Sequence, residues 1–554
     1  MTLIDRRLGL LFAAFVVLFG IVIARAAWVQ AVRGGDLSAD AQGQQTETVV
    51  VPGVRGAILD RNGKDLAVSE DAATVFATPY QVKDPEAAAR TLAPILDLPE
   101  EELLKTLADR ESGFGYLARK VDLPTADRVR ELKIHGIDLL PDSRRVYPQG
   151  ELAGQVIGAI GTENQGLTGL EASEDDVLRG GNGERQIVRD GFGDELERDT
   201  IEGATQGKDL RLTIDGDLQA ETERVLADVG RTFKPDGATA IVMDPQTSEV
   251  LSMANWPPVD PDELESTDPD DLLNMATGFT YEPGSTFKAF TVAGALEEGL
   301  VTPQTVFDLP PTIRIYDRTI EEAHERGYVS LTVAQILAQS SNVGAVKIGL
   351  ELGGERFDHW IRRFGFGEPT GIEFPAEERG IVIPPEEYSG STMGNLPIGQ
   401  GLSVTPVQMA AGFAAIANGG ILRPPRLVLS EGGEPADQAD GRRVMSRATA
   451  DKLSQMLEGV LSEAAGGTAS DVSVSGYTLA GKTGTAQKVV DGTYSDSEFV
   501  ASFVGYAPAE NPQLLVTVVV DNPTQGSYYG ADVAAPAFGE IAKFALPYLG
   551  IPPQ

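Results

Sequence analysis

Residues Tyr281 to Lys288 read Y-E-P-G-S-T-F-K, and the organisation of the chain follows from what a serine and a lysine three positions apart can do together. Pro283 and Gly284 disfavour helix, whereas Phe287, Phe290, Ala293 and Leu296 recur at helical spacing within Thr286 to Glu298. Ser285 is therefore expected to open a helix, with Lys288 one turn along on the same face. A helix N-terminus offers unpaired N–H groups and a positive dipole end to a developing alkoxide, and a lysine made neutral by burial can accept the hydroxyl proton. An ordinary capped helix beside a solvated lysine shows the same pattern. No other serine of the chain, however, has a lysine three positions later.

Two further motifs supply what such a nucleophile needs. Ser340 and Asn342 form S-x-N inside Q-S-S-N-V-G, after a short helix expected over Thr332 to Gln339. Lys482, Thr483 and Gly484 form K-T-G, followed by Thr485. A hydroxyl, an amide and an ammonium converging on one cleft can relay a proton, orient a substrate amide and hold a carboxylate. Each motif alone is common; their order, on a helix start, a loop and an edge strand, is the informative feature.

The chain has 554 residues, room for two or three domains. Arg6 and Arg7 precede an uncharged run from Leu8 to Ala24, and apolar character resumes after Arg25 as far as Val32. This reads as one membrane-spanning helix at residues 8–32, with Arg25 snorkelling and Trp28 at the interface; the small residues Ala24 to Ala27 leave a cleaved signal peptide as the alternative. The preceding arginines place residues 1–7 in the cytoplasm and the remainder outside it. With no cysteine and only His135, His324 and His359, spread far apart, neither thiol chemistry, a histidine triad nor a zinc site is expected. The net charge is −37, with only 13 lysines among the 45 basic residues. Such a surface repels nucleic acid; its acidity with scarce lysine suits a high-salt environment, with lineage composition as the equal alternative.

A polar connector, Arg33 to Thr48, leads to a strand at Glu47 to Val51, then R-G-A-I-L-D-R-N-G at Arg55 to Gly63 as a strand entering a turn. Helices are expected at Pro85 to Leu98 and Glu101 to Arg110. R-R-V-Y-P-Q-G follows at Arg144 to Gly150, G-L-T-G-L-E at Gly166 to Glu171, and glycine-rich stretches at Gly180 to Gly183 and Gly191 to Gly193. This half carries no catalytic set and reads as a β-rich, elongated pedestal over 33–209, with a boundary close to Leu210. Beyond it, strands are expected at Ala238 to Asp244, Glu249 to Met253, Val472 to Ser475, Thr478 to Lys482, Phe499 to Tyr506 and Leu514 to Asp521. Thr405 and Pro406 should cap a helix ending at Asn418 to Gly420, Glu431 to Gly441 should be a surface loop, and a helix at Pro536 to Tyr548 should close the chain.

With these motifs in place, the sequence resembles the penicillin-binding serine transpeptidases, whose signature is S-x-x-K with a serine/asparagine motif and K-T-G. R-G-A-I-L-D-R-N-G, R-R-V-Y-P and G-L-T-G-L-E are similar to N-terminal motifs of the class B, monofunctional members. Y-E-P-G-S-T-F-K, S-S-N-V-G, G-Q-G-L-S-V-T-P-V-Q-M-A, A-G-K-T-G-T-A-Q and S-F-V-G-Y-A-P-A are similar to the division-type branch, penicillin-binding protein 3. Elongation-type relatives usually carry a second proline where Glu282 stands, and they remain the alternative. The resemblance implies an α+β multidomain chain: a single transmembrane helix, a dimerisation-type pedestal, and over 210–554 a transpeptidase domain with a central antiparallel sheet flanked by helices. It implies Ser285 as nucleophile, Lys288 as base, Ser340 as proton donor to the leaving amine and Asn342 fixing substrate and Lys288. Lys482 would supply positive potential, with Thr483, Gly484 and Thr485 binding substrate and the N–H groups of Ser285 and Thr485 forming an oxyanion hole. The substrates implied are peptidoglycan stem peptides on lipid-linked nascent glycan strands, with β-lactams as covalent inhibitors and no cofactor. A polytopic membrane glycosyltransferase and other division proteins are the implied partners.

Three other readings compete. Gly476 to Thr483, G-Y-T-L-A-G-K-T, satisfies the phosphate-loop pattern of an NTPase, but the polar turn after Lys482 does not start the helix such a loop needs. A β-lactamase of class A pattern would place a glutamate four residues before an asparagine between S-x-N and K-T-G; Asn395 and Asn418 are preceded at that distance by Ser391 and Ala414. An inactive penicillin sensor is the third, and the complete motif set argues against it.

Overall fold

The structure, a computed structural model, describes residues 3–32, 46–51, 53–189 and 195–553. Most of the expected connector at Arg33 to Thr48, and Gly191 to Gly193, lie outside the described residues. Leu3–Val32 is a single helix, and Arg6–Ala31 is long and apolar enough to cross a membrane. The Arg25 guanidinium lies 4.6 Å from the centre of the Trp28 ring.

The described chain divides into two compact units. The first comprises Met1–Val54, Asp71–Arg144 and Gly180–Gly207; the second comprises Arg55–Glu70, Arg145–Arg179 and Lys208–Gln554. The long segment Lys208–Gln554 begins close to the boundary expected at Leu210, and two earlier stretches pack in the same unit. The two N-terminal stretches of the second unit enter its core through Ile58, Leu66, Tyr147, Leu170 and Leu178.

In the first unit, Thr46–Val51, Gly183–Arg189 and Glu195–Glu202 form an antiparallel sheet in the order given. A hydrophobic core in this unit collects Val75, Leu92, Leu103, Leu107, Leu117 and Val129. Its helices Pro85–Leu96 and Glu100–Leu107 overlap the helical stretches expected at Pro85 to Leu98 and Glu101 to Arg110.

The second unit is built on a five-stranded antiparallel sheet in the spatial order Val250–Trp256, Gly237–Met243, Leu514–Asp521, Thr493–Ala507, Ala480–Val490. Every residue of Gly237–Met243 and Leu514–Asp521 is buried, as central strands covered on both faces require. Helices Gly216–Phe233 and Gly530–Tyr548 join Val242, Val518 and Phe503 in one core cluster. Helices Lys288–Glu297 and Pro406–Ala417 join Ile241, Leu515 and Val519 in another. Thr405 caps the latter helix through a capping box with Gln408, ahead of Pro406 in its first turn.

Some boundaries differ from expectation. Val472 to Ser475 is not a strand; Val474 makes one isolated bridge to Tyr477 around a turn at Gly476, whose φ is +82°. The closing helix begins at Gly530 rather than Pro536, which is carried inside it because Val533, Ala534, Ala535, Ala537 and Phe538 are buried along the same helix. The Lys482 strand extends to Val490, drawn out by its pairing with Thr493–Ala507. Glu431 to Gly441 includes a tight hairpin, Val428–Glu431 against Glu434–Pro435.

Candidate active site

Ser285 sits in a single turn of 3-10 helix, Gly284–Phe287, that runs directly into the α-helix Lys288–Glu297. The helix thus starts with two geometries rather than one. Gly284 adopts φ +53°, a left-handed conformation that glycine enters freely, and this turn presents Ser285 half-exposed above the buried helix. A Cβ at Gly284 would lie 3.2 Å from both the Ala486 Cβ and the Thr485 carbonyl. The nucleophile turn is therefore packed against the edge strand that carries K-T-G.

Lys288 is 1% exposed. Its Nζ donates to the Ser340 carbonyl at 2.6 Å and to Asn342 Oδ1 at 2.6 Å, with Ser340 Oγ at 3.3 Å. Burial pushes its amine down from 10.5 to about 7; Glu322 opposes that shift and Arg326 adds to it. A neutral amine has two N–H donors, which the two short contacts satisfy, and a lone pair left to accept a hydroxyl proton. Ser285 Oγ has no hydrogen-bond partner among the described residues, as an apo nucleophile often does not.

The serine/asparagine motif is shaped by two helices meeting at a corner. Thr332 caps Val333–Ala338 with a capping box to Gln335, and Ser341 caps Asn342–Leu352 by accepting from the Gly344 N–H at 2.9 Å. Between them Ser340 is left-handed, φ +56°, a conformation costing a non-glycine residue about 1 kcal/mol. That corner is what brings both the Ser340 carbonyl and its hydroxyl to Lys288.

Lys482 is fully buried, and its Nζ donates to the Thr483 carbonyl at 3.1 Å and to Thr483 Oγ1 at 3.3 Å. Burial first, and the nearby Lys288 second, hold it well below the ordinary lysine range. No carboxylate pairs with either lysine among the described residues, so an incoming anion would be the counter-charge that favours their protonated forms. Thr485 Oγ1 accepts from the Gly530 N–H at 3.0 Å, which leaves the hydroxyl proton to donate. Gly484 has no room for a side chain: a Cβ there would lie 2.3 Å from Ser502 Oγ and 2.9 Å from Thr286 Cγ2. Because Ala480–Val490 is a strand throughout, Lys482 stands in no phosphate loop.

All eight residues singled out in the sequence thus lie on three elements meeting at one cleft. Several others at the same cleft carry no local pattern that announces them. Glu322 accepts the Asn342 N–H at 2.8 Å and the Ser341 hydroxyl at 2.7 Å. Thr468 shares a 2.7 Å hydrogen bond with Thr483. Glu282 Oε1 accepts the Gly401 N–H at 2.8 Å and the Tyr494 hydroxyl at 3.2 Å, tying the nucleophile loop to its surroundings. Their partners lie 15 to 212 positions away, beyond any helical or strand periodicity.

Residues 238–543 match the penicillin binding protein transpeptidase domain and residues 50–212 the penicillin-binding protein dimerisation domain. The chain belongs to the class B penicillin-binding proteins. It is 36% identical to stage V sporulation protein D of Bacillus subtilis, over 98% of this chain and 86% of that one. It is 33% identical to peptidoglycan D,D-transpeptidase FtsI of Escherichia coli, over 100% and 93%. Among solved structures, penicillin binding protein 3 of Mycobacterium tuberculosis complexed with aztreonam is 30% identical with a TM-score of 0.72, covering 91% of this chain and 98% of that one. For a penicillin-binding protein, a buried lysine pair without carboxylate partners beside a half-exposed serine is an arrangement suited to acyl transfer from an anionic peptide terminus.

Proposed function

We propose that this chain is a peptidoglycan D,D-transpeptidase that cross-links stem peptides through an acyl-enzyme on Ser285. Neutral Lys288 takes the proton from Ser285 Oγ, which attacks the carbonyl carbon joining the two terminal D-alanines. The oxyanion is received by the backbone N–H groups of Ser285 and Thr485, each such donor typically contributing about 10² to 10³ in rate. The C–N bond then breaks, Ser340 passes a proton to the departing amine, and the terminal D-alanine leaves. The amine of a neighbouring stem peptide attacks the ester, gives up its proton through Ser340 and Lys288, and Ser285 is regenerated. Asn342 aligns the substrate amide, Lys482 supplies positive potential, and Thr485 with Thr483 donates to the terminal carboxylate; Gly484 keeps the strand edge close enough for both. A β-lactam opens on Ser285 and stays as an ester, because its leaving group remains tethered.

The observation that carries this reading is the geometry at Lys288: a buried amine with two short acceptors at 2.6 Å and a hydroxyl at 3.3 Å. Labelling by a fluorescent penicillin tests it. Wild type should label and keep its label, Ser285→Ala should not label, and labelling retained by Ser285→Ala would sink the assignment. Rapid loss of the wild-type label would point to a β-lactamase instead.

The division-type motifs, Glu282 in place of a second proline and relatives such as FtsI favour work at the septum, with an elongation role as the second reading. Arg6 and Arg7 ahead of the apolar helix support a cytoplasmic N-terminus, a single-pass anchor in the plasma membrane and a catalytic unit outside it. Glycan polymerisation would then come from a polytopic membrane glycosyltransferase, met through the membrane helix and the pedestal together with other division proteins.

A further inference from the structure

The segment Glu321 to Arg326 belongs to none of the signature motifs, yet it makes four hydrogen bonds to the serine/asparagine corner. Glu322, whose side chain is only 6% exposed, accepts the Asn342 backbone N–H through Oε2 at 2.8 Å and the Ser341 hydroxyl through Oε1 at 2.7 Å. Arg326 pairs with the same carboxylate and donates from Nη2 to Ser341 Oγ at 2.6 Å. The Ser341 hydroxyl also accepts from the Gly344 N–H at 2.9 Å, so its single proton and both lone pairs are used. One residue earlier, the Glu321 carbonyl accepts Asn342 Nδ2 at 2.8 Å. That contact settles which way the Asn342 amide faces and leaves Oδ1 for Lys288 Nζ at 2.6 Å.

We propose that Glu322, clamped by Arg326, is a positioning residue for acylation: it fixes the Ser341–Asn342 corner and thereby aims the Ser340 hydroxyl and the Asn342 amide at Lys288. The proposal rests on the Ser285 acyl-enzyme reading. Glu322 makes no hydrogen bond to Ser285 among the described residues; its three hydrogen bonds go to the corner and to Arg326. A buried carboxylate at this place also has an electrostatic reach. The charged groups facing Lys288 among the described residues are Glu322, Arg326 and Lys482, and the first two act on its amine with opposite sign. Removing the Glu322 charge therefore lowers the pH at which Lys288 becomes neutral, and removing the Arg326 charge raises it.

The test measures the second-order rate of acylation by a fluorescent penicillin against pH, using the full chain in detergent and normalising each rate to the folded fraction. Glu322→Ala is expected to lose about ten- to a hundredfold at its best pH, as misplacement of catalytic groups does. Glu322→Gln, which keeps one acceptor for the Asn342 N–H, should recover part of that loss and move the rising limb to lower pH. Arg326→Met should move the limb to higher pH. Purely structural damage lowers the folded fraction and leaves the limb where it was. Ser285-dependent labelling with unshifted limbs and normalised rates within about twofold of wild type overturns the role of Glu322 alone. Wild-type labelling that survives Ser285→Ala overturns the acyl-enzyme reading itself. If Glu322→Gln does not fold, the upward shift in Arg326→Met decides the matter.

Discussion

Lys288 shows how one residue changes character when its surroundings close over it. In water its amine would be protonated at any physiological pH; burial brings it to about 7, so near neutrality a large share is ready to act as base. Acylation by a β-lactam should rise with pH through a midpoint near 7 and level off above it, falling about a hundredfold two pH units below. Stopped-flow labelling across pH 5 to 9 checks this, and a midpoint near the ordinary lysine value would refute the base assignment. The sign for stability follows from the same shift. Between about 7 and 10.5 the unfolded chain binds the proton that folded Lys288 has lost, so this residue's contribution to stability rises with pH across that window.

Among the elements, the three N-terminal motifs acquire a shared meaning in the second unit. Arg55, Arg145 and Glu171, one from each motif, form a buried triad: Glu171 is fully buried and accepts Arg55 Nε at 2.5 Å and Arg145 Nε at 2.7 Å. Arg55 also reaches Asp175 at 2.5 Å, and Arg145 donates to the Gly56 carbonyl at 2.7 Å. Removing the carboxylate strands two guanidinium groups away from water, so Glu171→Ala should cost about 3 to 5 kcal/mol, with Glu171→Gln costing less. Denaturant unfolding of the two variants measures it, and a loss under about 1 kcal/mol for the alanine would show that water or other groups take the place of Glu171. The motifs were visible in the sequence as strings; that they close one ion cluster was not, because nothing in the spacing of 55, 145 and 171 specifies contact.

At the scale of the whole molecule, charge dominates. With 82 acidic against 45 basic residues, self-repulsion opposes the compact state, and screening relieves it as the Debye length falls from about 10 Å at 0.1 M to about 3 Å at 1 M salt. The unfolding midpoint of the chain should therefore rise between those concentrations. Maximal stability at the lower salt would remove the argument for a high-salt habitat. The division into units belongs to this scale too. Arg55–Glu70 and Arg145–Arg179 pack in the unit that holds Ser285, so truncating the chain at residue 210 would remove part of that unit's core.

The sequence alone picked out the residues on which the proposed chemistry rests, because the proposed nucleophile, base, amide and carboxylate-binding strand are each marked by residue type and short spacing. It also determined the central strands and the capped helices, where burial on both faces or a Thr-Pro start leaves a local imprint. Only the tertiary structure decided what lies between those strings. The hold of Glu322 and Arg326 on Ser341 and Asn342, the Thr468–Thr483 contact and the packing of Ile58, Tyr147 and Leu170 into the core of the second unit all join residues that are distant in the chain. Such pairings depend on where the backbone returns, and a buried carboxylate or hydroxyl looks the same in sequence as a solvated one. The stretch Tyr281 to Lys288 belongs to both: its residues point to the proposed reaction, and burial lowers its lysine to about 7, as that reaction needs.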